Sequence, residues 1–149
     1  MFTLLTELKY SSGPQRYAVW NNKGGVGKST LTFHLATLTA TKQPKMKVLV
    51  IDMCPQANVS IMLLQTRKEG ERGDATVDKL CLMDHPKTVV GYLTAALSRN
   101  TQNPDPKPED YMLKVQDYNS EVPSNVFLVC GDPNLEIIAP ALTSTASST

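Results

Sequence analysis

The stretch that most constrains this chain is residues 17 to 38, YAVWNNKGGVGKSTLTFHLATL. Gly24, Gly25 and Gly27 lie between an apolar run and a segment of helical character, and two lysines, Lys23 and Lys28, share the same short loop. A loop without side chains lets backbone N–H groups converge on phosphate oxygens and hand the group to a helix N-terminus. The pattern G-x-x-x-x-G-K-[ST] is met from Gly27 through Ser29, with Asn22 where its first glycine would stand. With a strand before it and a helix after it, Lys28 can reach the β- and γ-phosphates of a nucleotide and the Ser29 hydroxyl can bind Mg²⁺. A solvated glycine turn gives no reason for Lys28 and Ser29 to follow Gly27 directly.

The flanking pattern supplies that setting. Residues 16 to 20, RYAVW, have the aromatic and apolar character of a strand. From Ser29 to about Thr41, Leu31, Leu35, Ala36 and Leu38 fall largely on one helical face, with Lys42 where a cation suits the helix dipole. After Pro44 the run KVLVID, residues 47 to 52, is nearly continuous in apolar character and suits a parallel strand covered on both faces. Strand, helix, strand makes a right-handed βαβ unit, and the expected fold is α/β, a doubly wound, mostly parallel sheet of P-loop NTPase topology.

The second half is sparser. Residues 59 to 64 (VSIMLL) suit one or two helical turns, 65 to 76 a charged loop, 88 to 98 a helix entered after Pro86, and 100 to 110 a proline-rich loop. Residues 126 to 129 suit a third strand, with Gly131, Asp132 and Pro133 turning into a helix from Asn134. The domain reading is an arm over 1–15, the α/β domain over 16–142 and a disordered tail over 143–149, whose composition is serine, threonine and alanine.

Charge and cysteine usage exclude several classes. Fifteen basic against 14 acidic side chains give a formal net charge of +1, so the whole chain makes no electrostatic case for nucleic acid or an anionic membrane. Cys54, Cys81 and Cys130 are far apart, with no C-x-x-C pair and no histidine at metal-ligand spacing, which argues against a disulfide framework or zinc site and for a reducing, cytoplasmic setting. A basic leader and a membrane-length apolar stretch are both absent, so neither a signal peptide nor a membrane span is expected. His34, His85 and Trp20 read as packing or surface residues, Trp20 as core, and Cys81 and Cys130 as core thiols.

KGGVGKST with its early lysine, followed by VLVIDMCPQANVS, resembles the deviant Walker A proteins of the MinD/ParA superfamily, specifically the ParA/Soj branch of chromosome and plasmid partition ATPases. The likeness is dense from Tyr17 to Leu64, with a weaker echo at LVCGDPNLE. It implies ATP and Mg²⁺ as cofactors, nucleotide contacts from Lys23, Gly24, Gly25, Val26, Gly27, Lys28, Ser29 and Thr30, and metal support from Ser29 and Asp52. It further implies that Lys28 serves its own nucleotide while Lys23, on the outer shoulder of the loop, crosses a nucleotide-sandwich homodimer to the partner's phosphates, which makes both lysines catalytic.

In the motif after the strand, Asp52, Pro55, Gln56 and Asn58 match the family, but Cys54 stands where a second aspartate positions the attacking water. A thiol is a poor acceptor for that task, so hydrolysis is expected to be slow, or to use another group such as Gln56. The chain shows no later apolar strand ending in aspartate and no adenine-contacting loop, so the resemblance implies an N-terminal portion of a longer fold, with open sheet edges or oligomerisation as consequences. The implied partners are a second copy, a ParB-like centromere-binding protein, and non-specific DNA through a C-terminal half that is not present. A hydrolysis-deficient, nucleotide-dependent interaction module is the rival from another class. A membrane-acting MinD-like role would need an amphipathic C-terminal helix, and the nitrogenase iron-protein branch would need paired cluster cysteines.

Overall fold

The apolar run ahead of Asp52 forms strand β1 (Val48–Ile51), which pairs in parallel with β3 (Val126–Val129), Val48 opposite Val126 through Ile51 opposite Val129. A two-residue strand, β2 (Leu113–Lys114), pairs antiparallel with the other edge of β3, giving the order β1-β3-β2. The computed structural model describes residues 14–21, 23–66, 72–98, 105–138 and 140. The arm before residue 14, Asn22, and the tail after residue 140 lie outside them.

Residues alternate between the faces of a strand, and here the two faces differ. Val50 and its register partner Leu128, with Val126, pack into one cluster with Ala36 and Ala40 of helix α1 (Lys28–Lys42), Val59, Leu63 and Leu64 of α2 (Asn58–Leu64), and Val77 and Leu80 of α3 (Gly73–Cys81). Leu63, Leu64 and Leu128 are fully buried, each contributing about 1.5–3 kcal/mol of transfer free energy. Leu49 and Ile51 point the other way and are 43% and 56% exposed. The sheet is therefore an α/β layer with one apolar face covered, and the expected cover on both faces of β1 is not observed among the described residues.

Two asparagines fix the helices against this sheet. Asn125, one residue before β3, donates from Nδ2 to the carbonyls of Ala40 (3.1 Å), Gln43 (3.2 Å) and Met46 (2.7 Å), at and just beyond the carboxyl end of α1. That end has carbonyls with no intrahelical partner, and Asn125 supplies one from 79 to 85 residues away. Asn119 does the same for α2, donating to Leu63 O and Gln65 O. Because the carboxyl end of α1 is held at the start of β3, α1 runs antiparallel to β1 and β3. Its amino end points towards the sheet end where both strands finish.

Helix α4 (Val89–Leu97) starts at Thr88, whose Oγ1 accepts from Gly91 N, and its first residue donates from the backbone to Cys130 O at 2.8 Å. The helix expected over 88–98, the turns over 59–64 and the strand over 126–129 are thus present, and residues 135–138 are helical after the Gly131–Asp132–Pro133 turn.

Four expectations are corrected. Residues 16–20 belong to no strand: a strand is completed by a neighbour's hydrogen bonds, and no described element pairs with this segment. Trp20, expected in the core, is 78% exposed for the same reason. On α1, Leu31, Leu35 and Leu38 face outwards, while Phe33, Ala36 and Ala40, also at helical spacing, face the sheet; two alanines allow the closer approach. The stretch expected as loop over 65–76 already contains the first turn of α3, which begins at Gly73. Residues 108–111 within the proline-rich stretch form a 3-10 turn. No helix among the described residues is long and apolar enough to cross a membrane.

Asn125→Ala removes the cap of α1 and leaves the partly buried carbonyls of Ala40 and Met46 without this donor. Unfolding in urea should show a loss of about 1–3 kcal/mol at unchanged m-value, with Asn125→Asp failing to restore it because a carboxylate has no N–H to give.

Candidate phosphate-binding site

The loop ahead of α1 is shaped by two left-handed residues, Gly25 (φ 71°) and Gly27 (φ 81°). A Cβ at either would meet nothing within 4 Å, so the dihedral and not crowding selects glycine. Gly27 is the N-cap residue of α1, makes no side-chain cap, and is followed by no acidic residue in the first turn. The amino-terminal N–H groups of α1, with the positive end of its dipole, are left facing outwards.

Lys28 folds back over this loop and donates from Nζ to Lys23 O at 2.9 Å. An ammonium has three donors, so two remain for a ligand at the centre of the loop. The Lys23 backbone N–H donates to Asn21 Oδ1 (2.8 Å), holding the loop's entry, while the Lys23 residue as a whole is exposed. Ser29 is half-buried beside Lys28, and Val26 and Thr30 are exposed. The residues from Lys23 to Thr30 that the sequence singled out therefore share one loop and helix start.

Asp52 stands at the carboxyl end of β1, the sheet end towards which α1 points, and is only 4% exposed. Its Oδ2 accepts from Ser60 N (3.0 Å) and Ser60 Oγ (2.8 Å), and its Oδ1 from Cys54 N (3.1 Å). Ser60 lies in the first turn of α2, whose N-cap, Ala57, has no side chain able to cap; Asp52 does that work from eight residues earlier. Cys54 is half-buried beside it. Gln56 accepts at Oε1 from Asn58 Nδ2 (3.0 Å), the ordinary loop hydrogen bond.

Sequence reasoning missed a second buried carboxylate at the same sheet end. Asp132 is 1% exposed, accepts from Thr88 Oγ1 (2.7 Å) and Asn134 N (2.9 Å), and so ties the start of α4 to the end of β3. The readable signal was Thr88 three residues before Gly91, an N-cap position after a proline. Ser60 and Gly131 were also missed.

Two thiols stand among these groups. Burial pushes the Cys81 thiol up to about 12, and the nearby Asp132 carboxylate adds to it by charge and by accepting its hydrogen bond. Burial likewise pushes Cys130 up to about 12, against a hydrogen bond with Ser60 that lowers it, with Cys81, Asp52 and Asp132 raising it further. Both are inert thiols at neutral pH.

A sequence model of the AAA domain family, a family of ParA/MinD-type P-loop ATPase domains, matches residues 15–136. No curated protein and no solved structure matches the chain.

Because the folded state keeps both thiols protonated to about pH 12 while the unfolded chain releases those protons near pH 9, stability should be complete below pH 9 and decline from there towards pH 12. Urea midpoints between pH 8 and 10.5 check this, and a Cys81→Ser/Cys130→Ser variant should show a shallower decline. At pH 8, iodoacetamide should label Cys81 and Cys130 only after unfolding.

Proposed function

For a chain that belongs to the family of ParA/MinD-type P-loop ATPase domains, and is therefore a nucleotide-binding ATPase domain by kind, we propose the more particular role of a partition-type ATP switch. The observation that carries it is the loop itself: Gly25 and Gly27 in left-handed conformation, with Lys28 drawn across to Lys23 O, at the sheet end that also holds Asp52. In this reading the backbone from Gly24 to Gly27 and the first N–H groups of α1, at Lys28, Ser29 and Thr30, surround the β- and γ-phosphates of ATP, beside Val26. Lys28 exchanges its contact with Lys23 O for phosphate oxygens.

The residues present fit Mg²⁺. The Ser29 hydroxyl is the oxygen ligand such a loop offers, and Asp52 keeps one acceptor position after its three hydrogen bonds. When bound, the ion neutralises charge on the β- and γ-oxygens. Lys23, exposed on the shoulder, serves the nucleotide of a second copy in a homodimer. Water attacks the γ-phosphorus, the bond to the β–γ bridging oxygen breaks, and ADP and phosphate leave. Cys54 contributes no strong acceptor for that water, so turnover is slow. The dimer would answer a ParB-like protein and DNA in the cytoplasm.

Cys54 also favours a second reading, a nucleotide-dependent interaction module that binds ATP without hydrolysing it. Binding, phosphate release and light-scattering mass separate the two. Lys28→Ala should weaken Mg²⁺-ATP binding by about 30- to 150-fold, the cost of about 2–3 kcal/mol in charge-assisted hydrogen bonds. Lys23→Ala should keep binding and lose the ATP-dependent doubling of mass. Slow phosphate release that accelerates in Cys54→Asp supports the switch; release absent in the protein and in Cys54→Asp leaves the module. No ATP binding at all overturns both.

A further inference from the structure

Asp52 has two carboxylate oxygens and about four acceptor positions, of which three are filled. Their distribution is uneven. Oδ2 takes both donors of one residue, Ser60, from its backbone N and its hydroxyl, whereas Oδ1 takes only Cys54 N, at 3.1 Å. Two other groups meet the Ser60 hydroxyl: Gly131 N donates to its oxygen at 2.9 Å, and the Cys130 thiol lies against it; of the two acceptors the Asp52 carboxylate, at 2.8 Å, is far stronger than a protonated thiol and takes the hydroxyl proton.

Gly131 presses on the same group. A Cβ at position 131 would lie 3.0 Å from Asp52 Cγ and 2.9 Å from both Cα and Cβ of Ala57, so the backbone after β3 forms a wall against the carboxylate. Ala57, against which that backbone lies, takes a left-handed conformation (φ 48°), of the kind that persists where the surrounding structure holds it. Ser60 is completely buried.

We infer that Ser60, braced by Gly131, is a positioning residue that saturates Oδ2 of Asp52 and leaves Oδ1 as the one oxygen presented to a divalent cation or its water. This rests on the reading of Asp52 as metal support. The torsion that turns a carboxylate about its Cβ–Cγ bond is broad and two-fold, so without the Ser60 hydroxyl the group is free to swing. The Gly131 N–H, left without its acceptor, would then compete for the carboxylate. Partners behind a ligating group commonly set metal affinity by 10- to 100-fold when removed.

The test uses Mn²⁺ and ATP as probes on the full chain. Mn²⁺ affinity in the presence of ATP is read by electron paramagnetic resonance, ATP binding in EDTA by the fluorescence of a labelled ATP, and folding by circular dichroism. Ser60→Ala should bind ATP in EDTA within about twofold of the parent but hold Mn²⁺ about tenfold more weakly. Ser60→Cys, which keeps the volume and loses the strong donor, should behave alike if the alanine variant does not fold. Ser60→Thr, which keeps the hydroxyl, should restore Mn²⁺ affinity. Unchanged Mn²⁺ affinity in folded Ser60→Ala or Ser60→Cys overturns the inference while Asp52→Asn still loses the ion. If Asp52→Asn holds Mn²⁺ like the parent, the reading of Asp52 falls and takes this inference with it.

Discussion

The buried carboxylate of Asp52 is the constraint around which the rest is arranged. A charge so little exposed is tolerated only when donors surround it, and every donor here comes from the chain immediately after β1 or from the helix that follows. Satisfying it dictates the tight return through Ala57, the start of α2 at Asn58, two residues before Ser60, and the contact between α2 and the end of β3 through Gly131. Asp132 repeats the arrangement one strand over, with Thr88 in the role of Ser60 and α4 in the role of α2. Each strand is thus followed by an acid, Asp52 directly after β1 and Asp132 three residues after β3, that holds the start of a helix, and both acids stand at the end of the sheet where ligands of parallel α/β folds are bound.

The opposite end of the layer is governed by amides in place of acids. Asn119 and Asn125 occupy the carboxyl ends of α2 and α1, where carbonyls and a negative dipole end ask for donors. The division is electrostatically consistent: acceptors at helix starts, donors at helix ends. It also fixes the direction of α1, which is what brings the glycine loop to the acid end. The placement of the glycine loop therefore depends on an asparagine nearly a hundred residues later.

Local chemistry was legible in the sequence and long-range partnership was not. The glycine loop, α1, β1, α2 and β3 follow from spacing and apolar runs, because each is decided by its own residues. The side of α1 that meets the sheet is a different kind of question. Leu31, Leu35 and Leu38 and the trio Phe33, Ala36 and Ala40 have equally good helical spacing, and only the closeness of the sheet favours the smaller set. The segment over 16–20 has strand composition, yet a strand exists through its neighbour, which no local pattern specifies. The pairings of Asp132 with Thr88 and of Ser60 with Gly131 were invisible for the same reason. A buried polar pair separated by 44 or 71 residues, as Thr88 with Asp132 or Ser60 with Gly131, leaves no periodic trace.

Trp20, the single tryptophan of the chain, stands three residues before Lys23 with its indole in water. Its excited state relaxes in a polar solvent shell, so its emission lies at the red end of the tryptophan range and is open to collisional quenchers. An event at the neighbouring loop that draws residues 16–20 onto β1, or covers them with another surface, would shift that emission to the blue and shield it. The absence of a packed home for this residue thus gives the molecule an intrinsic optical gauge of its own loop, one that requires no label and has no second indole to obscure it.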